Sequence, residues 1–545
     1  MTTEQAPEDW WRRAVVYQVW PRSFADSDGD GVGDLRGVLG KLDHLSDLGV
    51  DVVWLSPVYA SPQVDNGYDI SDYQGVDPLF GTLADLDALL AALHARGMRL
   101  VLDVVVNHTS DQHPWFVESR ASRDNPKRGW YWWREAPPND WSSLFSGSAW
   151  ELDEATGEYY LHTFARQQPD LNWEHPQVRA AVQAMMRWWL DRGVDGFRLD
   201  VISMISKDLA GGPLGFGSQL HTYLHELHRE VFAGRGVMTV GETPGTTVAE
   251  ARLMTDPARR ELDMVFEFEH VSLDHGATKW EALSLSLPRL KHCFARWQDG
   301  LAEAGWNSLY WDNHDQPRAV SRYGDDGQYR VASATTLATV LHLHRGTPFV
   351  YQGEELGMTN ACFTSIADYR DLESLNHYAE AVEAGQPPED VLAALQRMSR
   401  DNARTPVQWD ASLHAGFTTG EPWIAVNPDH VRVNAAAQRN DPHSVLAHYR
   451  RLIALRHEVP AVALGDFQLL LSDDEQVWAF TRRHDGVELL VVANLSSAEV
   501  CAEVPGWEDT ELLLGNLPDA LPGLRLRPWE SRVHRRTGWR SVSQG

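Results

Sequence analysis

Eight short runs rich in β-branched residues, at 15–19, 52–55, 100–105, 196–199, 238–240, 264–266, 308–310 and 347–350, recur along the chain, each followed by a segment of helical period. Strand then helix, repeated, is the order of an α/β fold, and eight such strands predict a closed (β/α)8 barrel. Between the second and third runs, Thr82 and Asp85 have the form of a capping box. Leu86, Leu89, Leu90 and Leu93 make one apolar stripe, and Gly97 stops the helix. The rhythm breaks over residues 104–174, a stretch rich in Trp, Pro, Asn and Asp that is too long for an ordinary barrel loop and reads as an inserted subdomain. Helical period resumes at His175-Pro176, with Val178, Val182, Met185 and Trp189 on one face and Gly193 at the end. Beyond about residue 459 come alternating runs separated by Asp485-Gly486 and Ser496-Ser497, the signature of a small antiparallel β domain. The expected organisation is a barrel of residues 1–103 and 175–458, the insert at 104–174, and a C-terminal β-sandwich domain at 459–545.

Charge narrows the partners. The 545 residues carry 48 basic and 77 acidic side chains, a formal net charge of −29. Phosphate-bearing surfaces are held by Lys and Arg, so this surplus of acid argues against nucleic acid or an anionic membrane and favours a neutral or cationic ligand. Three cysteines, Cys293, Cys362 and Cys501, lie far apart without metal-ligand spacing and are expected to be buried thiols. The acidic start of the chain lacks the basic and apolar segments of a secretory signal, and no apolar run is long enough to span a bilayer, so a soluble, cytoplasmic protein is expected. Tryptophan is the compositional outlier. Of 23 copies, seven (Trp115, Trp130, Trp132, Trp133, Trp141, Trp150 and Trp173) fall in the insert, about an eighth of the chain.

A barrel enzyme places its working residues at the C-terminal ends of the strands, and here those ends are crowded with acid. The third strand ends Asp103-Val-Val-Val-Asn107-His108, the fourth runs Gly196-Phe-Arg198-Leu-Asp200, the fifth ends in Glu242, and the seventh leads into Asp312-Asn313-His314-Asp315. One Asp after a strand is commonly a cap or turn former. Four strands delivering carboxylates to one face point to chemistry. Arg198 and Asp200, two apart on a strand, share a side, and a guanidinium there keeps a carboxylate ionised, which suits a nucleophile. Glu242 on the neighbouring strand is then the protonated partner, its pKa raised by the adjacent negative charge. Two such carboxyls ~5–5.5 Å apart define a retaining glycosidase. Asp103 suits either support of the site or direct contact.

These blocks resemble the four signature regions of the α-amylase family, glycoside hydrolase family 13. The resemblance spans nearly the whole chain, and several blocks are most similar to its oligo-1,6-glucosidase and α-glucosidase branch: Asn66-Gly67-Tyr68-Asp69-Ile70, Gln168-Pro169-Asp170-Leu171-Asn172, Gly346 through Glu355, Asp368-Tyr369-Arg370-Asp371 and Asn402-Ala403-Arg404-Thr405-Pro406. It implies a TIM barrel with an insert after strand three and a C-terminal β domain. It makes Asp200 the nucleophile, Glu242 the general acid/base and Asp315 the transition-state stabiliser. It assigns Asp69, His108, Arg198, His314 and Arg404 to the sugar pocket, with Tyr68 beneath the ring and Phe145, Phe164 and Gln168 completing the wall. Asp69 and Arg404 would close the pocket at the terminal glucose, making the enzyme exo-acting on a small oligosaccharide or disaccharide, with no organic cofactor.

The run Asp26-Ser27-Asp28-Gly29-Asp30-Gly31-Val32-Gly33-Asp34 resembles the first part of an EF-hand loop, with Asp26, Asp28, Asp30, the Val32 carbonyl and Asp34 as oxygen ligands. The family often binds Ca²⁺ here, Mg²⁺ is the alternative, and a solvated acidic turn is the plainer reading. A metal would brace the first β/α loop and take no part in chemistry.

Val201, directly after the nucleophile position, is the residue that relatives cleaving α-1,6 linkages tend to carry, so isomaltose-type substrates are expected. The alternatives are α-1,4 or sucrose-cleaving glucosidases and transglucosylases. Arg318-Ala-Val-Ser-Arg322 lacks the second aspartate of the sucrose isomerase signature, Trp20 stands where relatives often have Tyr, and Asp312 where many have Asn. A catalytically dead accessory barrel, the reading from another class, conflicts with the presence of all three carboxylates.

Overall fold

The computed structural model describes residues 9–507 and 510–538; the acidic start, residues 1–8, on which the reading of the N-terminus rests, lies outside them. Eight strands form one parallel sheet: β1 (Val16–Val19), β2 (Val52–Leu55), β3 (Arg99–Val105), β4 (Gly196–Asp200), β5 (Met238–Glu242), β6 (Met264–Phe266), β7 (Ser308–Leu309) and β8 (Thr347–Tyr351). They neighbour one another in the order β6-β5-β4-β3-β2-β1-β8-β7. A parallel bridge between Val265 and Asn307 joins the two ends and closes the barrel.

Both faces of each strand are buried, and the period of two sorts them. Val52 and Trp54 pack inside the barrel with Val16, Val101, Val240, Phe266 and Phe349. Val53 and Leu55 face the surrounding helices in the main core. The helix Leu83–Ala95 begins at the expected capping box, with Thr82 and Asp85 satisfying each other's backbone N–H, and Leu86, Leu89, Leu90 and Leu93 are buried. Helix Pro176–Arg192 is likewise capped by His175 and ended by Gly193 in the left-handed conformation.

Between residues 104 and 174 lie a helix, Pro114–Ala121, and a three-stranded antiparallel sheet of Trp133–Arg134, Glu158–Leu161 and Trp150–Asp153. β3 runs to Val105, so the strand overlaps the start of that span. Trp130, Trp132, Trp133, Trp150 and Trp173 are buried there, which explains the tryptophan surplus: a small two-layer unit needs large rings to fill its core. Lys207, fully buried, fastens this segment to the barrel. Its ammonium donates to Asn107 Oδ1 at 2.6 Å beyond β3, lies 3.0 Å from Asp170 Oδ2 at the end of the insert, and donates to the Met204 carbonyl beyond β4.

Beyond β8 the chain makes two further helices, Leu372–Glu383 and Pro388–Met398, before the long helix Val445–Glu458. A five-stranded antiparallel sheet follows, in the order Asp466–Leu470, Val477–His484, Val487–Asn494, Ser531–Thr537 and Glu511–Gly515. Its hairpin turns at Asp485-Gly486, both at positive φ, as a two-residue turn of this hand requires. One face, with Trp478, Phe480 and Val491, joins the main core; the other packs with Trp507 and the ribbon of Val500–Cys501 and Arg525–Leu526. Only Cys293 is buried. Cys362, in a loop at positive φ, and Cys501, on the ribbon, are exposed, contrary to the expectation for small apolar thiols. Among the described residues no helix is long and apolar enough to cross a membrane.

Candidate active site

The parallel register sets the carboxylates. Asp103 on β3 pairs with Arg198 on β4, and Val105 with Asp200, so the acid at the end of β4 stands one step above Arg198 on the same side. Arg198 is 2% exposed and bridges three acids: Nη1 donates to Asp103 Oδ1 at 2.9 Å and to Asp200 Oδ1 at 2.6 Å, while Nη2 lies 2.8 Å from Glu242 Oε2. The Val201 N–H donates to that same Glu242 oxygen at 3.0 Å. Val201 holds a left-handed conformation, φ 35°, which a β-branched residue rarely adopts. Backbone strain is thus spent on fixing the second carboxyl. Burial pushes the Asp200 carboxyl well up, the charges of Glu242 and Asp103 add to that, and Arg198 opposes it.

Asp103 supports the site from below. It is fully buried, with Oδ2 accepting from the Tyr68 hydroxyl at 3.0 Å and the Trp54 indole at 3.3 Å, and burial pushes it up to about 6. Tyr68 lies parallel to His314, ring centres 5.4 Å apart, and Trp20 stacks near both, 5.0 Å from His314 and 6.4 Å from Tyr68. Gln18 Nε2 meets His314 Nδ1 at 2.8 Å, so Nδ1 accepts and Nε2 carries the proton toward the Tyr68 hydroxyl (2.7 Å) and Asp315 Oδ2 (3.1 Å). Burial drives His314 down to about 3 and His108 to about 4, so both rings are neutral near neutral pH. Asp315 behaves oppositely. Burial works against its charge, yet His314, Arg400 and Arg404 hold it well below the usual carboxylate range; Arg404 Nη2 is at 2.8 Å and Arg400 Nη1 at 3.1 Å.

These groups surround a cavity lined by Asp65, Tyr68, His108, Phe145, Phe164, Asp200, Val201, Glu242, Asp315 and Arg400. Eight of these ten were named from sequence. Asp69 and Arg404, expected at its closed end, are not there. Asp69 is fully buried, its oxygens taken by the backbone N–H groups of Val64 and Asp65, and Arg404 is spent on Asp315, Asp371 and the His314 carbonyl. Asp65 and Arg400, 3.9 Å apart, occupy that end instead. Gln168 is not a wall residue either: it lies behind the wall, donating to Asp65 at 3.0 Å and meeting His108 at 3.2 Å. Arg198 and His314 also sit behind the lining. Asp371 was overlooked; it accepts from Arg400 at 2.5 Å and Arg404 at 3.1 Å and stays well below the usual range, burial notwithstanding, because of those two guanidiniums. None of the seven insert tryptophans lines the cavity; its aromatic wall is Phe145 and Phe164.

In the first β/α loop the carboxylates of Asp26, Asp28 and Asp34 converge, with ligand oxygens within 4.8 Å of one another. Asp30 is outside that group and its Oδ1 accepts the Val32 N–H at 2.8 Å. Asp34 also caps the helix Leu35–Gly40, and Thr418 donates to Asp26.

Residues 18–465 match the model of the alpha amylase catalytic domain. The chain belongs to the α-amylase family. Within that family it is 53% identical to an oligo-1,6-glucosidase of Parageobacillus thermoglucosidasius, over 96% of this chain and 99% of the relative. It is 47% identical to the trehalose-6-phosphate hydrolase of Bacillus subtilis, over 98% and 100%. Among solved family structures, the trehalulose synthase MutB, as its A258V mutant, superposes with a TM-score of 0.94 at 45% identity, covering 97% of this chain and 100% of that one.

Proposed function

We propose that the chain is an exo-acting, retaining α-glucosidase that hydrolyses terminal, non-reducing α-1,6-linked glucose from short oligosaccharides. The observation that carries this is one buried guanidinium holding the carboxyls of Asp200 and Glu242 at a pocket whose lining also includes Asp65 and Arg400. Asp200 attacks the anomeric carbon while Glu242 passes a proton to the glycosidic oxygen, giving a glucosyl-enzyme ester and a free aglycone. Glu242, now a carboxylate, takes a proton from water, whose oxygen displaces Asp200 and returns the original anomeric configuration. Asp315, kept ionised, grips ring hydroxyls and favours the flattened, cationic sugar. Asp65 and Arg400 block the pocket beyond the terminal glucose, which supports exo action.

Linkage rests on Val201 and on the oligo-1,6-glucosidase relatives at about half identity. The test is a substrate panel of isomaltose, maltose, sucrose, trehalose and trehalose 6-phosphate, with products followed by chromatography. The expected kcat/KM for isomaltose exceeds that for maltose by about tenfold or more, the scale a shaped pocket delivers. Maltose or trehalose 6-phosphate consumed faster would overturn the linkage assignment and leave the reaction class standing.

The Asp26–Asp34 loop belongs to the proposal as a structural site for Ca²⁺, with Mg²⁺ the smaller alternative. Three carboxylates and a backbone carbonyl are the hard oxygen donors such ions take, and the ion would tie this loop to the 417–423 segment through Asp26 and Thr418. Chelator-treated protein is expected to regain Tm on adding millimolar Ca²⁺, by about 2–3 kcal/mol of stability when Ca²⁺ is near a hundredfold above its Kd. Asp28→Asn should weaken that response. A Tm indifferent to Ca²⁺ and Mg²⁺ would leave the loop as an acidic turn.

A further inference from the structure

Behind the pocket, where β7 gives way to the loop carrying Asp315, lies a small buried cavity otherwise lined by apolar and ring carbons but bearing two carboxyls, Asp312 and Glu354. They are 2% and 7% exposed. Asp312 Oδ2 accepts the Ala319 N–H at 2.8 Å, and its Oδ1 is sealed from solvent with no donor from the rest of the protein. Glu354 Oε1 accepts the Tyr449 hydroxyl at 2.5 Å, and Oε2 meets the Tyr351 N–H at 3.4 Å. The two carboxyls are within hydrogen-bonding reach of each other. Two carboxylates offer only acceptors, so a bond between them needs a proton on one. The charged and titratable groups facing them are few. Arg318 is the nearby cation; its Nη1 and Nη2 donate to the Gln352 and Ala403 carbonyls and its Nε has no acceptor. Glu355 adds negative charge beside it. Tyr323 contributes a hydroxyl without a partner, and from the helix Arg330–His342 the neutral ring of His342 stands edge-on to Tyr449. One cation beside three carboxyls does not balance two charges in this cavity.

We propose that Asp312 and Glu354 hold a single proton between them and that this carboxyl–carboxylate bond is a positioning device for the loop that presents Asp315. Asp312 ties its own backbone to Ala319, and Asn313 Oδ1 accepts the Asp315 N–H at 2.7 Å, so the loop is pinned from both sides by this one strand end. Asp315 then owes its aim to a proton held out of reach of solvent. Burial pushes both carboxyls up, and the charge of Asp312 pushes Glu354 further. The sign follows: the folded protein keeps a proton that the unfolded chain gives up above the ordinary carboxylate range, so the contribution to stability is complete at acid pH and is lost as pH rises through the pair's titration.

An amide at position 312 donates permanently and replaces the shared proton. The experiment compares the parent, Asp312→Asn, Asp312→Leu and Glu354→Gln by Tm against pH, by the alkaline limb of kcat, and by infrared difference spectra in the carbonyl region of protonated carboxyls. Asp312→Asn is expected to lose the buried carboxyl band, to flatten the decline of Tm above neutral pH and to move the alkaline limb upward by about one pH unit. Asp312→Leu, which keeps bulk but no hydrogen bond, should lose several-fold in kcat at every pH, and the amide should recover most of that loss. An Asp312→Asn enzyme with the parent's Tm slope, alkaline limb and infrared band would overturn the proposal. So would an Asp312→Leu enzyme with unchanged kcat, because the pair would then position nothing.

Discussion

Asp200→Asn and Glu242→Gln should each remove turnover of isomaltose by about 10⁴-fold, but by separable routes. Both substitutions are nearly isosteric, and Arg198 keeps two carboxylate partners in either variant, so Tm should stay near the parent's. Without the Asp200 carboxylate no ester forms, so a good leaving group brings no burst of phenol, and any azide adduct arises by direct single displacement with inverted configuration. Glu242→Gln differs. An aryl α-glucoside whose phenolate leaves unaided needs no acid for the first step, so Asp200 still attacks and a burst of phenol equal to the enzyme concentration is expected. The second step then stalls, since no base activates water. Azide, which needs no base, should restore steady phenol release and yield a glucosyl azide of retained configuration. Ready turnover of isomaltose by either variant, or a glucosyl azide of retained configuration from Asp200→Asn, would sink the assigned roles.

The barrel was legible because its strands are short apolar runs buried on both faces, a pattern that needs no knowledge of partners. Asp200 and Glu242 were legible for a related reason: on a strand, position fixes direction. Loops give no such rule, and there the sequence reading chose wrongly. Asp65 and Asp69 flank a tight turn in which Asn66 and Gly67 both take positive φ, so four residues of separation do not tell which acid faces the cavity. Arg400 and Arg404 stand one helical turn apart on the same side, and the nearer to the cavity cannot be read from spacing. Asp371, inside a block quoted for its resemblance, announced no role because its work is to hold those two arginines and not to touch the cavity. The helix Leu372–Glu383 buries only Ser374 and Ala381, leaving little apolar stripe to detect, whereas Pro388–Met398 buries Val391, Leu395 and Met398 at helical spacing, a stripe that is present in the sequence. The tryptophans mark the insert because most of those rings fill its core, while two phenylalanines line the cavity.

Arg198→Leu is expected to damage stability as well as rate, which distinguishes it from the catalytic carboxylate variants. The guanidinium is the cation in direct contact with Asp103, Asp200 and Glu242, all less than 8% exposed. Removing one member of a buried ionic cluster typically costs about 3–5 kcal/mol, because the remaining charges are left desolvated and facing one another. At neutral pH these acids would either repel or take up protons; a protonated Asp200 is no nucleophile, so kcat should fall by at least about 10³-fold. The pH dependence has a definite sign. The carboxyls of the variant bind protons more readily when folded than when unfolded, so its Tm deficit should shrink as pH falls from 8 toward 5. Adding Asp103→Asn to Arg198→Leu removes one of the stranded charges and should recover part of the lost Tm, while turnover stays absent because Asp200 remains unpaired. Arg198→Lys tests the shape of the cation: a single ammonium cannot reproduce the fork that spans β3, β4 and β5, so it should restore Tm further than it restores kcat. An Arg198→Leu protein with a parental Tm at neutral pH would mean that Asp103, Asp200 and Glu242 find their compensation elsewhere, and that the guanidinium is not what opposes protonation of the nucleophile.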